Sequence, residues 1–206
     1  ARVNGVDRAR VRRELRIPDT AVVLMMAGRM VRTKRFDAFV RIAAAVARRS
    51  PGREIHALVV GDGPELDDVR KVVREEGAPA TIHLLGYQRD IFPSLAVSDV
   101  VVFPSEHPEV LPMFLIEASA AGRAIVCSGV AGNREIVHDG ETGRVVSGGI
   151  SSYVDTIVSL LEDPASAQRL AAAAQANARE HFDEEKAAQA TLAVYQRLLA
   201  AGEPKG

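Results

Sequence analysis

Two carboxylates eight residues apart, Glu109 and Glu117, bracket the run EVLPMFLIE, which continues into ASAAG. Carboxylates so placed bind sugar hydroxyls, hold a metal, or act as general acid and base. Pro112 lies between them and suits the first position of a helix, where its missing N–H costs nothing. Glu109 is therefore expected in a loop and Glu117 on the second turn of a helix. Uninterrupted helix would turn the pair roughly 80° apart, whereas a loop followed by a helix can bring both to one crevice. The preceding VVFPS (Val101 to Ser105) reads as a buried strand ending in a breaker. The crevice would then sit at the carboxyl end of a strand, where open α/β sheets bind ligands.

A second group, Gly28-Arg29-Met30-Val31-Arg32-Thr33-Lys34, follows an apolar run and precedes a helical pattern. Free amides at a helix start and fixed cations make an anion site. Arg29 supplies a bidentate fork for phosphate oxygens and Lys34 a point charge. A solvated basic loop is the other reading. Gly61-Asp62-Gly63-Pro64 matches neither a dinucleotide-binding nor a Walker loop. It reads first as a tight strand-to-helix turn with Pro64 at the helix start, and ligand contact at Gly61 stays open. Gly86-Tyr87-Gln88 is either a turn or a place where backbone approaches a flat ligand.

Other chemistries find less support. His107 is near Glu106, but no second histidine stands at ligand spacing; His56, His83 and His138 are scattered and His181 lies in a helical tail. No metal site is expected. The absence of G-x-S-x-G argues against a Ser–His–Asp hydrolase. Cys127, the only cysteine, follows AIV in a strand pattern and is expected to be a buried, inert thiol. One cysteine excludes an internal disulfide framework and favours a reducing, cytoplasmic setting. With 4% aromatic residues, no Trp and a formal charge of −1, the chain lacks a stacking platform and a global pull toward nucleic acid. The longest apolar run, Ala21 to Ala27, is too short to span a bilayer. No signal-peptide pattern is present, and the N-terminus reads as a cut one.

The elements that must position these groups alternate. Strands are expected at Ala21 to Ala27, Ile55 to Val60, Ile82 to Leu85, Val100 to Phe103, Ala124 to Cys127 and Gly143 to Val146. Helices are expected at Val6 to Leu15, Phe36 to Arg49, Glu65 to Glu76, Ile91 to Ala96, after Pro112, and near Glu135 to His138. Continuous apolar strands alternating with amphipathic helices define an α/β class with a doubly wound parallel sheet. From Ile150 on, the Ala-rich chain is wholly helical, with helices at Tyr153 to Leu161, Ala165 to His181 and Glu184 to Ala201. The last has Ala188, Leu192, Tyr195 and Leu198 on one side, to cover this sheet or to reach another domain. A length of 206 residues fits one domain, with residues 1–7 a junction, 8–149 the α/β core and 150–206 a helical tail.

Taken in order, these pieces resemble the C-terminal, donor-binding half of the retaining GT-B glycosyltransferases of family four. The motifs that carry the resemblance are NGVD at Asn4 to Asp7, GRMVRTK, GDGP, LGY, SDVVVFPS, the Glu-x7-Glu pair and AGNREIVHDGETGRVV. The resemblance implies that Arg29 and Lys34 bind the donor diphosphate at Gly28, with Glu117 on the ribose hydroxyls. It places Glu109 at the donor sugar near the anomeric carbon. Backbone at Leu111 and Met113 would touch the sugar or distal phosphate, and Tyr87 and Gln88 would border the base. Glu109, Arg29 and Lys34 are thus the expected catalytic groups. Gly61, Val110 and Pro112 complete the expected donor site. The implied substrate is a UDP- or GDP-type nucleotide sugar, with no cofactor and no metal. The reaction is hexosyl transfer with retention to a glycan, glycolipid or small molecule.

There are departures. Val110-Leu111-Pro112 replaces the commoner Gly-Phe-Gly and adds bulk at Val110, leaving the donor sugar open. Arg35 stands where glycine usually follows the lysine, and Ala131 replaces the first of a glycine pair. The acceptor site belongs to an N-terminal domain that should precede Asn4, so the isolated domain is expected to lack turnover. The full-length form is expected to be cytoplasmic or peripheral to a membrane. A non-catalytic nucleotide-binding module and a GT-B-fold sugar-nucleotide epimerase are the alternatives.

Overall fold

The computed structural model describes residues 2–77 and 79–201. Six strands form one sheet: β1 (Val22–Ala27), β2 (Ile55–Val60), β3 (Thr81–Gly86), β4 (Val100–Phe103), β5 (Ala124–Ser128) and β6 (Arg144–Val146). All pairings are parallel and the order is β3-β2-β1-β4-β5-β6. Buried residues fill β2 and β4 throughout, which is why their sequences are apolar at every step rather than alternating.

The helices are α1 (Arg8–Glu14), α2 (Phe36–Arg49), α3 (Leu66–Glu76), α4 (Phe92–Val97), α5 (Met113–Ala120), α6 (Asn133–Ile136), α7 (Ile150–Glu162), α8 (Pro164–His181) and α9 (Glu184–Ala201). α2 packs with α3 and α7 on one face of the sheet; α4, α5 and α8 cover the other, with α1 against α4. α2, α3 and α7 each turn one apolar stripe inward, whereas α5 buries the consecutive residues Phe114, Leu115 and Ile116 and has no polar face of its own. In α2 this stripe is Phe36, Phe39, Val40, Ile42, Ala43 and Val46. Tyr153, Val154, Ile157 and Leu160 of α7 and Leu170 of α8 join the same core. α9 differs: Leu192, Tyr195, Leu198 and Leu199 are exposed, so its apolar side does not cover this sheet.

Asp7 of the NGVD run caps α1 by accepting from the Arg10 amide at 2.9 Å. The side chain of Asn4, and residues 202–206 of the expected tail, lie outside what is described. Three local expectations shift. Pro112 is the residue before α5, with extended backbone (φ −71°, ψ 92°), rather than its first helical residue. Pro64 lies two residues before α3, whose cap is Glu65. α6 begins at Asn133, earlier than Glu135, because Gly132 turns the chain into it and Val137 is already extended.

Candidate functional site

The sheet order reverses between β1 and β4: β2 lies beside β1, β5 beside β4. Loops leaving the carboxyl ends of β1 and β4 therefore diverge and open a crevice. A cavity of about 940 Å³ occupies it. The loop after β1 contributes Gly28, Arg29 and Lys34. The loops after β2 and β3 contribute Gly61, Tyr87 and Gln88. The segment from β4 to α5 contributes Glu109, Leu111, Pro112, Met113 and Glu117. The two carboxylates thus share one wall system, as the loop-then-helix reading requires. Val110 is the exception among the expected residues: it is 93% exposed and does not line the cavity.

The cations are held differently. Arg29 is exposed; its carbonyl accepts from the Val31 amide at 2.9 Å, and among the described residues its guanidinium has no hydrogen bond or ion pair. Lys34 ends a 3-10 turn (Arg32–Lys34). Its Nζ lies 2.5 Å from Glu109 Oε1 and 4.9 Å from the centroid of the Phe103 ring. Phe103, the last residue of β4, was not anticipated in the site. Its place at the strand end was the available signal, and its ring gives the ammonium an apolar, π-bearing floor. Asp62 and Gly63 also line the cavity. Arg35, which follows Lys34, is left-handed (φ 60°, ψ 47°), a conformation that suits glycine better than a residue with a Cβ. Its guanidinium donates to Asp37 at 3.0 Å and to Glu106.

The loops after β1 and β4 are therefore joined by Lys34–Glu109 in the crevice wall and by Arg35–Glu106 outside it. Backbone ties reinforce them. The Glu106 amide donates to the Thr33 carbonyl at 2.9 Å, and Ser105 Oγ to the same carbonyl at 3.2 Å. Ser128 Oγ at the end of β5 donates to the Ser105 carbonyl at 2.5 Å. On the other side, Gly61 has φ 134°, and a Cβ there would stand 1.9 Å from the Gly28 carbonyl oxygen. Gly61 thus serves close packing of the β2 loop on the Arg29 loop, and the Met30 amide donates to Asp62 at 2.8 Å in the same contact.

α5 opens at Met113 with no side-chain cap on its first amides. A helix start with free donors beside Lys34 and Arg29 suits an anion of two or more charges. Tyr87 is 76% exposed at the rim, and Gln88 is fixed by its own donation to the Leu85 carbonyl at 2.9 Å. Cys127 is fully buried, and burial pushes its thiol up to about 12, so it is no nucleophile. His56 and His83 are not scattered: they stack with ring centroids 5.1 Å apart, at the far end of β2 and β3. Among the described residues no group of three or more His, Cys, Asp or Glu is arranged to hold a metal ion.

Residues 7–177 match the family model for glycosyl transferases group 1. The chain belongs to this family. The lipopolysaccharide core biosynthesis glycosyltransferase LpsE of Rhizobium meliloti is 33% identical over 171 residues, 82% of this chain and 47% of that protein. The D-inositol 3-phosphate glycosyltransferase of Rhodococcus erythropolis is 32% identical over 203 residues, 93% of this chain and 45% of that protein. This group 1 chain thus spans less than half the length of these curated relatives. Among solved structures, Anabaena Alr3699/HepE in complex with UDP and glucose superposes with a TM-score of 0.84 at 24% identity, over 93% of this chain and 52% of that one. The sucrose-phosphate synthase of Thermosynechococcus elongatus superposes with a TM-score of 0.78 at 27% identity, over 94% of this chain and 49% of that one. The fold is Rossmann-like α/β, the kind found in the C-terminal half of the GT-B fold, and no helix of the described residues is long and apolar enough to cross a membrane.

Proposed function

We propose that this chain is the nucleotide-sugar-binding half of a retaining, metal-independent glycosyltransferase that passes a hexosyl-type sugar to an acceptor held by a separate N-terminal domain. The supporting observation is the crevice between β1 and β4, which gathers Arg29, Lys34, Glu109, Glu117 and the uncapped start of α5. Arg29 and Lys34 take the diphosphate, by fork and by point charge. The α5 amides at Met113 and Phe114 take the distal phosphate or the sugar. Glu117 takes the ribose hydroxyls, Glu109 the donor sugar near its anomeric carbon, and Tyr87 and Gln88 flank the base.

When the bond from the anomeric carbon to the diphosphate breaks, negative charge grows on the leaving oxygens. Fixed cations and a helix start stabilise that charge more than they stabilise the bound donor, an electrostatic contribution that needs no proton transfer. Three such donors meet the charge a divalent ion would otherwise meet, hence the metal independence. HepE, similar in fold, was crystallised with UDP, which makes UDP-sugars the first donors to try. Supplying the full-length protein with UDP- and GDP-hexoses and a panel of glycan, glycolipid and small-molecule acceptors, with and without EDTA, tests the reading. Release of nucleoside diphosphate and a product of unchanged anomeric configuration in EDTA is expected. Inversion, or activity abolished by EDTA, would contradict it.

A further inference from the structure

The turn between β5 and α6 presses on the back of the Glu109 loop. Gly132 is buried with φ 84°, and a Cβ placed on it would stand 1.7 Å from the Glu109 carbonyl oxygen and 3.5 Å from Pro112 Cδ. Cβ contacts under 3.0 Å are essentially not found, so any side chain at 132 forces a displacement of about 1.3 Å. Which partner yields follows from anchoring. Asn133 is fully buried, and its Nδ2 donates to the Ser128 carbonyl at 3.1 Å and to Ser128 Oγ at 3.0 Å. Ile136 and Val137 behind it are core residues. Across the contact, Glu106, His107, Pro108 and Val110 are exposed. The ties of the Glu109 loop to its neighbours run through Ser105, Glu106 and the Lys34–Glu109 side-chain pair. No backbone amide from 107 to 111 is anchored among the described residues, so the stretch around Glu109 is the part that gives.

We propose that Gly132 is a positioning residue for Glu109: its missing Cβ lets the Glu109 backbone settle where the carboxylate reaches Lys34 and the crevice. This explains why the second residue of the 131–132 pair is glycine while Ala131, which is exposed, need not be. Glu109's role toward a sugar rests on the proposed function; its placement against Lys34 does not.

The test reads Lys34 directly. The sequence has four lysines, Lys34, Lys71, Lys186 and Lys205, so ¹³C-lysine labelling gives few ε-carbon signals, and Lys34→Arg identifies the one of interest. Glu109→Gln defines its position without the ion pair. In a folded Gly132→Ala variant the Lys34 signal should move toward the Glu109→Gln position, while Ala131→Gly should leave it in place. A Lys34 signal in folded Gly132→Ala that overlays wild type would overturn the proposal. Should Gly132→Ala not fold, Asn133→Ala decides: it loosens the turn without adding a Cβ at 132. A shift in the same direction supports the proposal, and an overlay overturns it. Titrating UDP into the same samples separates the two readings. A wild type that ignores UDP counts against the donor site, and the Lys34 comparison, which uses no ligand, still decides the role of Gly132.

Discussion

Lys34 Nζ and Glu109 Oε1 lie 2.5 Å apart with side chains only 20% and 25% exposed. Glu109 therefore occupies one of the ammonium's coordination directions, a place that a phosphate oxygen would compete for. Half-buried pairing of this kind is worth more than an exposed ion pair, and breaking it from one side leaves a charge poorly solvated. The two partners should behave oppositely as variants. Lys34→Ala should weaken nucleoside diphosphate binding by about 10-fold or more, a loss of one charge-assisted hydrogen bond. Glu109→Gln should bind it at least as tightly as wild type. Calorimetry on both variants checks the pair, and equal losses would rule out competition.

Arg29 is the complementary case, exposed and with a guanidinium that has no partner among the described residues. Charge-assisted hydrogen bonds are worth about 1.5–3 kcal/mol each. Arg29→Ala should weaken nucleoside diphosphate binding roughly 10- to 100-fold and leave the thermal midpoint unchanged. Unchanged affinity would remove Arg29 from the site.

Arg35 carries a Cβ in a left-handed conformation. Arg35→Ala and Arg35→Gly both discard the links to Asp37 and Glu106, but only alanine keeps the strain. Arg35→Gly should be the more stable of the two by about 1 kcal/mol, seen as the difference between their urea midpoints. An alanine variant of equal or greater stability would contradict the backbone account.

His56 Nδ1 and His83 Nε2 are 2.8 Å apart, and His56 Nε2 is 2.8 Å from Glu54 Oε1. Burial, then the facing His56, holds His83 below its ordinary 6.5. As pH falls through 6.5 the unfolded chain takes up this proton before the folded one does. Stability is then full above 6.5 and declines below it, by at most about 1.4 kcal/mol per pH unit for one proton. Urea midpoints at pH 7.5, 6.5 and 5.5 should show the decline, and His83→Asn should flatten it. A variant with an unchanged slope would place the effect elsewhere.

Much of this was legible in the sequence, and the failures have physical reasons. The apolar spacing of Phe36 to Val46 marks a helix whose bounds match the structure, and the unbroken runs at Ile55 to Val60 and Val100 to Phe103 mark buried strands. The crevice residues follow from strand ends, since each loop after β1 to β4 had its polar or glycine group in view. What sequence hides is lateral order. His56 and His83 look scattered because they are 27 residues apart, and only the β2–β3 pairing brings them together. Likewise Lys34–Glu109 spans 75 residues, and Gly132 against the Glu109 carbonyl depends on how two loops lean. Pro112 was misplaced by one residue because proline's fixed φ suits both the first helical position and the extended cap before it.

On the proposed function, the β1–β4 crevice binds a nucleoside diphosphate through Arg29, Lys34 and the start of α5. Calorimetric titration of this domain with UDP, GDP and ADP, each with and without Mg²⁺, tests it most directly. Saturable one-to-one binding of one of the three, unchanged by Mg²⁺, is the predicted result. No binding by any of them, or binding only with Mg²⁺ present, would contradict it.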